Sequence, residues 1–212
     1  MVISFYGEGC FKIQSGDMVL LVDPINPSSG LTQPRFKFDI SLQTLSSLAS
    51  LENEGMGKKE NDGFQIMGPG EYNIKDVDIS GIGLINGSSD KFIKSIFIVM
   101  IEGIKMCFLG HISEIPEADV LEKLEEIDIL FIPAGGKPFI DQKLAVKLIK
   151  QIDPKIVAPS FYKIPGLKRP AEDLKIFIEE GGYKKAEQQE KLTIKKKDLA
   201  EIKKTEIISL KV

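Results

Sequence analysis

The sequence predicts an α/β (α+β) chain folded as a four-layer αββα sandwich, two sheets face to face with helices on their outer faces. Three observations carry that expectation. The first half reads as short apolar runs separated by Gly, Pro, Asn and Asp clusters, the pattern of antiparallel strands. From Ile115 onward the apolar period lengthens, and helical spacings alternate with short buried runs, which adds helices to the outside of a sheet. The 212 residues, 42% of them hydrophobic, supply one sizeable core with no internal repeat or low-complexity linker, so residues 1–212 are expected to form a single domain.

Each element follows from its local pattern. Val2, Ile3 and Phe5 lead to the turn Gly7-Glu8-Gly9, and Cys10, Phe11 and Ile13 lead to Ser15-Gly16-Asp17. Met18 to Val22 is a buried run that Asp23-Pro24 ends, because proline cannot continue a ladder. Residues 24 to 38, with Pro24, Pro27, Gly30 and Pro34, read as an irregular loop. Asp39 to Leu42 is a short strand followed by a small-residue loop, with one helical turn at Leu48 to Leu51. The polar stretch Glu52 to Gly63 reads as an exposed, mobile loop. Phe64 to Met67, Tyr72 to Ile74 and Val77 to Ile85 are strands, and Ile96 to Ile101 pairs with Lys105 to Leu109 through the hairpin signal Glu102-Gly103. Pro116 opens a helix whose face is Val120, Leu121, Leu124 and Ile127. Ile129 to Ile132 is a buried strand closed by Pro133-Ala134-Gly135-Gly136, where a tight strand-to-helix turn is favoured over a backbone anion site. A helix with Leu144, Ala145, Leu148 and Ile149 on one face follows, then strand Ile156 to Ala158 and a helix from Ala171 to Glu180 stopped by Gly181-Gly182. Two short strands, around Leu192-Thr193-Ile194 and from Glu206 to Leu210, close the chain.

The totals exclude several function classes. Twenty-eight basic against 31 acidic residues give a net charge of -3, which supplies no electrostatic reason for nucleic acid or an anionic membrane as partner. The lysines at 195–197 and 203–204 read as a solvated surface interleaved with acidic residues. No apolar run approaches ~18 residues, so no helix is expected to span a bilayer. The N-terminus MVISFYGEGCF reads as a first strand and not as a signal peptide. Cys10 and Cys107 lie in apolar runs and are expected as buried reduced thiols, which fits a cytoplasmic home.

The coordination chemistry is sparser still. The loop after Leu42 offers Thr44, Leu45, Ser46, Ser47, Leu48, Ala49 and Ser50, with no imidazole, carboxylate or thiolate, and zinc is bound by such donors. The chain holds one histidine, His111, and a dinuclear centre needs several imidazoles.

Several motifs, in order and spacing, make the chain resemble a metallo-β-lactamase-fold protein of the branch labelled metal-dependent or zinc-dependent hydrolases. They are Tyr6-Gly7-Glu8-Gly9-Cys10-Phe11, Leu21-Val22-Asp23-Pro24, Gly68-Pro69-Gly70-Glu71-Tyr72, Phe108-Leu109-Gly110, the run from Asp128 to Gly136, Pro154 to Pro159, Tyr162 to Leu167, and Lys191 to Ile194. The resemblance implies a dinuclear metal site on loops at one sandwich edge, with a bridging water that attacks an ester, amide or phosphodiester. It places the family's HxHxDH ligands on Leu45, Ser47, Ala49 and Ser50, the next histidine at or near Asn86, the bridging aspartate on His111 and the closing histidine on Phe161. No expected ligand keeps its expected chemistry. Asp23 and Glu71 are supporting candidates near the old pocket, Asp23 as an acceptor of backbone N–H groups. A serine nucleophile from Ser46, Ser47, Ser50 or Ser160 would need a base, for which His111 is the sole imidazole and weak catalytic candidate.

The expectation is therefore a hydrolase-like protein without metal or cofactor, a non-catalytic binding or assembly subunit with a protein partner or a second copy of itself. The alternatives are a divergent metal-dependent hydrolase of an ester, lactone or phosphodiester, which would use zinc, and a surface-only subunit paired with a ligand-bearing paralogue.

Overall fold

The computed structural model describes residues 1–54, 57–60, 63–184 and 186–212. The chain opens with β1 (Val2–Gly7), β2 (Cys10–Ser15) and β3 (Met18–Val22), then a loop with a 3-10 turn at Pro27–Ser29. β4 (Ile40–Leu42), β5 (Leu45–Ser47), α1 (Leu48–Glu54), β6 (Gly57–Glu60) and β7 (Gly63–Ile66) follow. β8 (Gly70–Ile74), β9 (Val77–Leu84) and the hairpin β10 (Phe92–Ile101) and β11 (Ile104–Phe108) complete the strand-rich part. The remainder is α2 (Ala118–Lys123), β12 (Ile129–Pro133), α3 (Gln142–Ile152), β13 (Ile156–Ser160), α4 (Leu174–Glu180), β14 (Glu187–Gln189), β15 (Leu192–Thr193), α5 (Lys196–Leu199) and β16 (Glu206–Leu210).

One sheet runs β15-β1-β2-β3-β4-β7-β6, and the other runs β14-β16-β13-β12-β11-β10-β9-β8 with β5 also paired to β10. Strand alternation builds the core between them. Met106 and Phe108, Ile129 and Phe131, and Ile156 and Ala158 face the first sheet, where they meet Phe5, Phe11, Ile13 and Leu20. Phe131 stacks on Phe108 at 4.2 Å between ring centroids and takes Phe11 edge-on at 4.7 Å, which locks the two sheets together. The intervening side chains Cys107, Leu130, Ile132 and Val157 point the other way, under Leu124, Leu148, Ile149 and Phe177 of the helical layer.

Parallel pairing decides where a site forms. β11, β12 and β13 run parallel, as do β3, β4 and β7, so the C-terminal ends of each set open on one edge.

The structure departs from the sequence reading at several places. The outer face of the first sheet is covered by the 24–38 loop, whose Leu31, Phe36 and Phe38 pack with Cys10, Leu21 and Ile25; its prolines bar the helix expected in that layer. The segment after Thr44 is not an open loop: β5 pairs with β10, Leu45 opposite Lys94 and Ser47 opposite Phe92, and runs into α1. Within Glu52 to Gly63, read as a loop, β6 pairs antiparallel with β7, while residues 55, 56, 61 and 62 lie outside the described residues. α2 stops at Lys123, four residues short of Ile127. α4 starts at Leu174 because the Asp173 carboxylate accepts from Lys175 N at 2.9 Å and fixes the N-cap there. β14 and α5 were not anticipated, since Glu187–Gln189 is a polar edge strand with no apolar alternation to betray it.

Candidate functional site

Four strand ends converge around His111. β3 ends at Asp23, whose N–H donates to Leu42 O at 2.8 Å, and β4 ends two residues before Thr44. β11 ends at Phe108 and reaches His111 through Gly110, held at φ +55. Glycine is required there, because a Cβ at Gly110 would stand 2.1 Å from Thr44 Oγ1. β13 ends at Ser160, and Phe161 turns back with φ +57, its N–H donating to Glu8 O at 2.8 Å. Glu8 and Asp23 also hold positive φ, +54 and +42, at a cost of roughly 1–2 kcal/mol per residue that the surrounding packing must offset.

The polar centre is a relay through Thr44, which is fully buried. Its N–H donates to Asp23 Oδ1 at 2.7 Å, its hydroxyl lies 2.7 Å from Asp23 Oδ2, and the same hydroxyl oxygen lies 2.7 Å from His111 Nδ1. With Asp23 ionised, the hydroxyl proton belongs to the carboxylate contact, so Thr44 Oγ1 accepts from His111 Nδ1–H. Nε2 is then left with a lone pair. Asp23 Oδ2 stands 4.0 Å from Nδ1. Burial pushes the Asp23 carboxyl up from its ordinary value, against His111 and the Thr44 hydrogen bonds, which pull it down. Burial also lowers the His111 imidazole, with Asp23 opposing, so the ring is neutral at neutral pH.

Aromatic and ionic groups wall this relay. Phe161 packs edge-on to His111 at 4.9 Å and Phe139 tilts at 5.7 Å. Arg169 holds Glu8 through Nε at 2.9 Å to each carboxylate oxygen and through Nη2, donates again to Phe161 O at 2.6 Å, and lies 4.8 Å above the Phe139 ring. Glu8, Asp23, His111, Phe139, Phe161 and Arg169 line a half-open pocket of about 180 Å³.

Of the residues singled out by sequence, the structure gathers Asp23, His111 and Phe161. Leu45, Ser47 and Ala49 are exposed on β5 and α1, Ser50 is half-buried on α1, and none lines the cavity. Asn86 sits exposed in the turn after β9, its N–H donating to Glu117 Oε1 at 3.1 Å. Glu71 is not brought there: on β8 it accepts from Ser80 Oγ at 2.6 Å and lines a different groove with Ile98 and Met100. The hydroxyl beside His111 is that of Thr44 and not a serine, and its complete burial bars it from attacking a substrate. At Gly135-Gly136 the Glu172 carboxylate packs close, 2.5 Å from a Cβ built on Gly136. Thr44, Glu8, Phe139 and Arg169 escaped the sequence reading. Their one signal was position, Thr44 just past a strand that runs parallel to the one ending at Asp23.

The donor set does not fit a metal pair. Among the described residues no three His, Cys, Asp or Glu side chains lie close enough to share an ion. Both Asp23 oxygens are engaged by Thr44 and both Glu8 oxygens by Arg169, leaving one imidazole nitrogen where zinc asks for at least three protein ligands.

Comparison with known proteins places this geometry. A family model described as a beta-lactamase superfamily domain matches residues 2–160. A protein named UPF0173 metal-dependent hydrolase, from Natranaerobius thermophilus, is 27% identical over 199 residues, 82% of this chain and 88% of that protein. A Thermotoga maritima protein described as a Zn-dependent hydrolase of the metallo-β-lactamase superfamily superposes with a TM-score of 0.77 at 22% identity over 100% of both chains. Igni18, described as a novel metallo hydrolase from Ignicoccus hospitalis, gives 0.63 at 16% identity, over 98% of this chain and 94% of its own. At such identities the likeness is one of fold.

Proposed function

The chain belongs to the beta-lactamase superfamily, and from that premise we propose that it is a member whose edge site has been rebuilt without metal and now serves binding or assembly. One observation carries the reading: the Thr44 hydroxyl stands between Asp23 and His111, bonded to Asp23 Oδ2 and to His111 Nδ1. Displacing it would leave a fully buried hydroxyl without partners and two ionisable groups to realign. Phe161 adds to this, walling the edge beside His111 with an apolar ring.

The names of its relatives favour a second reading, a metal-dependent hydrolase with a divergent site, and metal content separates the two. Protein purified without chelator is expected to carry well under one zinc or iron per chain. Added zinc is expected to leave its melting temperature unchanged, whereas a ligand at 100 times its Kd stabilises by about 2.7 kcal/mol. Stoichiometric metal that is lost on His111→Ala, together with hydrolysis of an ester, lactone or phosphodiester, would overturn the proposal.

A further inference from the structure

The Thr44 relay leaves His111 with one free acceptor. Nδ1–H is spent on Thr44 Oγ1, so Nε2 carries a lone pair. Among the described residues nothing bonds to Nε2. The buried side-chain polar atoms that lack a partner there are Ser41, Ser46 and Ser95 Oγ and Gln142 Oε1, so Nε2 is not one of them. It is the accessible corner of a ring that is 23% exposed and lines the pocket.

The other polar groups around this pocket are already in use. Both Asp23 oxygens engage Thr44, and both Glu8 oxygens engage Arg169. Arg169 also donates to Phe161 O and Pro170 O, and Lys94 gives its ammonium to Ser113 Oγ at 3.2 Å. Of the four charged groups that bear on the imidazole, Asp23 and Glu8 are negative and Lys94 and Arg169 positive. The signs cancel, so the surroundings select neither a cation nor an anion. A single acceptor also asks for a single donor. An amide NH2 or an ammonium would bring further N–H groups with no free acceptor opposite them, and an unpaired donor out of water is costly.

The walls fix the rest of the ligand. Phe161 packs edge-on to His111 at 4.9 Å, and Phe139 lies 4.3 Å from Phe161, so the acceptor is bordered by two rings against which a third can pack. About 180 Å³ is several times the space one water needs. Phe139 and Arg169 also border a second depression with Pro138 and Pro170, so the apolar wall continues past the pocket mouth. A phenolic O–H, titrating at about 10, is a stronger neutral donor than an aliphatic hydroxyl.

From this geometry we propose that the pocket binds a neutral aromatic alcohol, phenol being the simplest, whose O–H donates to His111 Nε2 and whose ring lies against Phe139 and Phe161. The inference rests on the metal-free reading, since a zinc ion would claim the same imidazole nitrogen.

The single histidine makes the test clean, because its imidazole ¹⁵N and ¹H signals need no assignment. Phenol should move those signals saturably. Anisole, with the same ring and oxygen but no O–H, should bind about fivefold or more weakly. Benzylammonium and benzoate, with a ring and a charge, should both bind more weakly than phenol. By calorimetry, His111→Phe should bring phenol down to the affinity of anisole. Phe139→Leu should weaken phenol and anisole alike, by about threefold or more, and keeps the test open if the first variant does not fold. Linear shifts, equal binding of phenol and anisole, tighter binding of either charged ligand, or a Phe139→Leu variant that binds phenol unchanged would overturn the proposal. Zinc is titrated against the same signals. A stoichiometric zinc shift overturns the metal-free reading itself, whereas silence toward both zinc and phenol overturns this inference alone.

Discussion

Thr44→Val probes the polar centre at one atom. The substitution keeps the side chain's shape and exchanges the hydroxyl for a methyl, so the backbone donation from Thr44 N to Asp23 Oδ1 survives. Two contacts are lost. Asp23 Oδ2 loses a hydrogen bond to a charged acceptor, roughly 1.5–3 kcal/mol, and His111 Nδ1 loses a neutral one, roughly 0.5–1.5 kcal/mol. The Asp23 carboxylate has little water to turn to, because Thr44 is fully buried and the Asp23 side chain is 10% exposed. The expected destabilisation is roughly 2–4 kcal/mol, or ~5–15 °C in Tm for a chain of this size. Urea unfolding followed by far-UV circular dichroism measures it, the chain having no tryptophan for fluorescence. The effect should depend on pH. The Thr44 bonds hold down a carboxyl that burial pushes up, so their loss raises the Asp23 pKa further. A carboxyl with a raised folded-state pKa favours the native state most when protonated, and that contribution fades as pH rises through the raised value. The variant's deficit is therefore full above that pKa and shrinks as pH falls through it. A deficit under about 0.5 kcal/mol, or one that does not change with pH, would refute the relay.

Other substitutions test the surrounding wall. His111→Gln should remove a pH dependence of stability: the folded-state pKa lies below the ordinary 6.5, so the unfolded chain binds more protons and the wild type loses stability as pH falls below 6.5. Urea midpoints of the two proteins should converge on acidification, and parallel curves would contradict this. Arg169→Lys keeps the charge but forfeits the fork that grips Glu8, and about 1–2 kcal/mol should be lost, a value held down by the 23% and 16% exposure of the two side chains; an unchanged Tm would show the ion pair to be idle. Gly110→Ala combines a left-handed backbone cost of roughly 1–2 kcal/mol with a Cβ driven into Thr44. With Thr44→Val it should be non-additive by at least about 0.5 kcal/mol, because both act on one contact, and strict additivity in a double-mutant cycle would separate them.

The strands were legible because a buried strand advertises itself. Met18 to Val22, Ile129 to Ile132 and Ile156 to Ala158 are apolar runs bounded by turn residues, and each forms a strand of the structure. Elements lacking that signal were missed. β5 is Leu-Ser-Ser, held by main-chain pairing to β10, and β14 is Glu-Gln-Gln on a sheet edge, so neither needs a hydrophobic face. The 24–38 loop shows the converse, an irregular segment whose Leu31, Phe36 and Phe38 do the covering expected of a helix.

For the site, location was readable and content was not. A sheet of parallel strands brings its C-terminal ends to one edge whatever residues follow them, so Asp23, His111 and Phe161 meet because β3, β11 and β13 end there. What they do on meeting depends on the hydroxyl between them, 21 residues from Asp23 and 67 from His111 in sequence. A search for metal donors passes over threonine, since its hydroxyl is not among the groups that bind zinc in proteins. Yet one buried hydroxyl, donating to a carboxylate and accepting from an imidazole, joins two ionisable groups that no direct hydrogen bond links. Gly110 exists in the same geometry to admit that hydroxyl, as the 2.1 Å approach to a built Cβ requires. Under the metal-free proposal, the segment from 45 to 50 carries no ligand, and Thr44 at its head supplies the hydrogen bonds that hold Asp23 and His111 together.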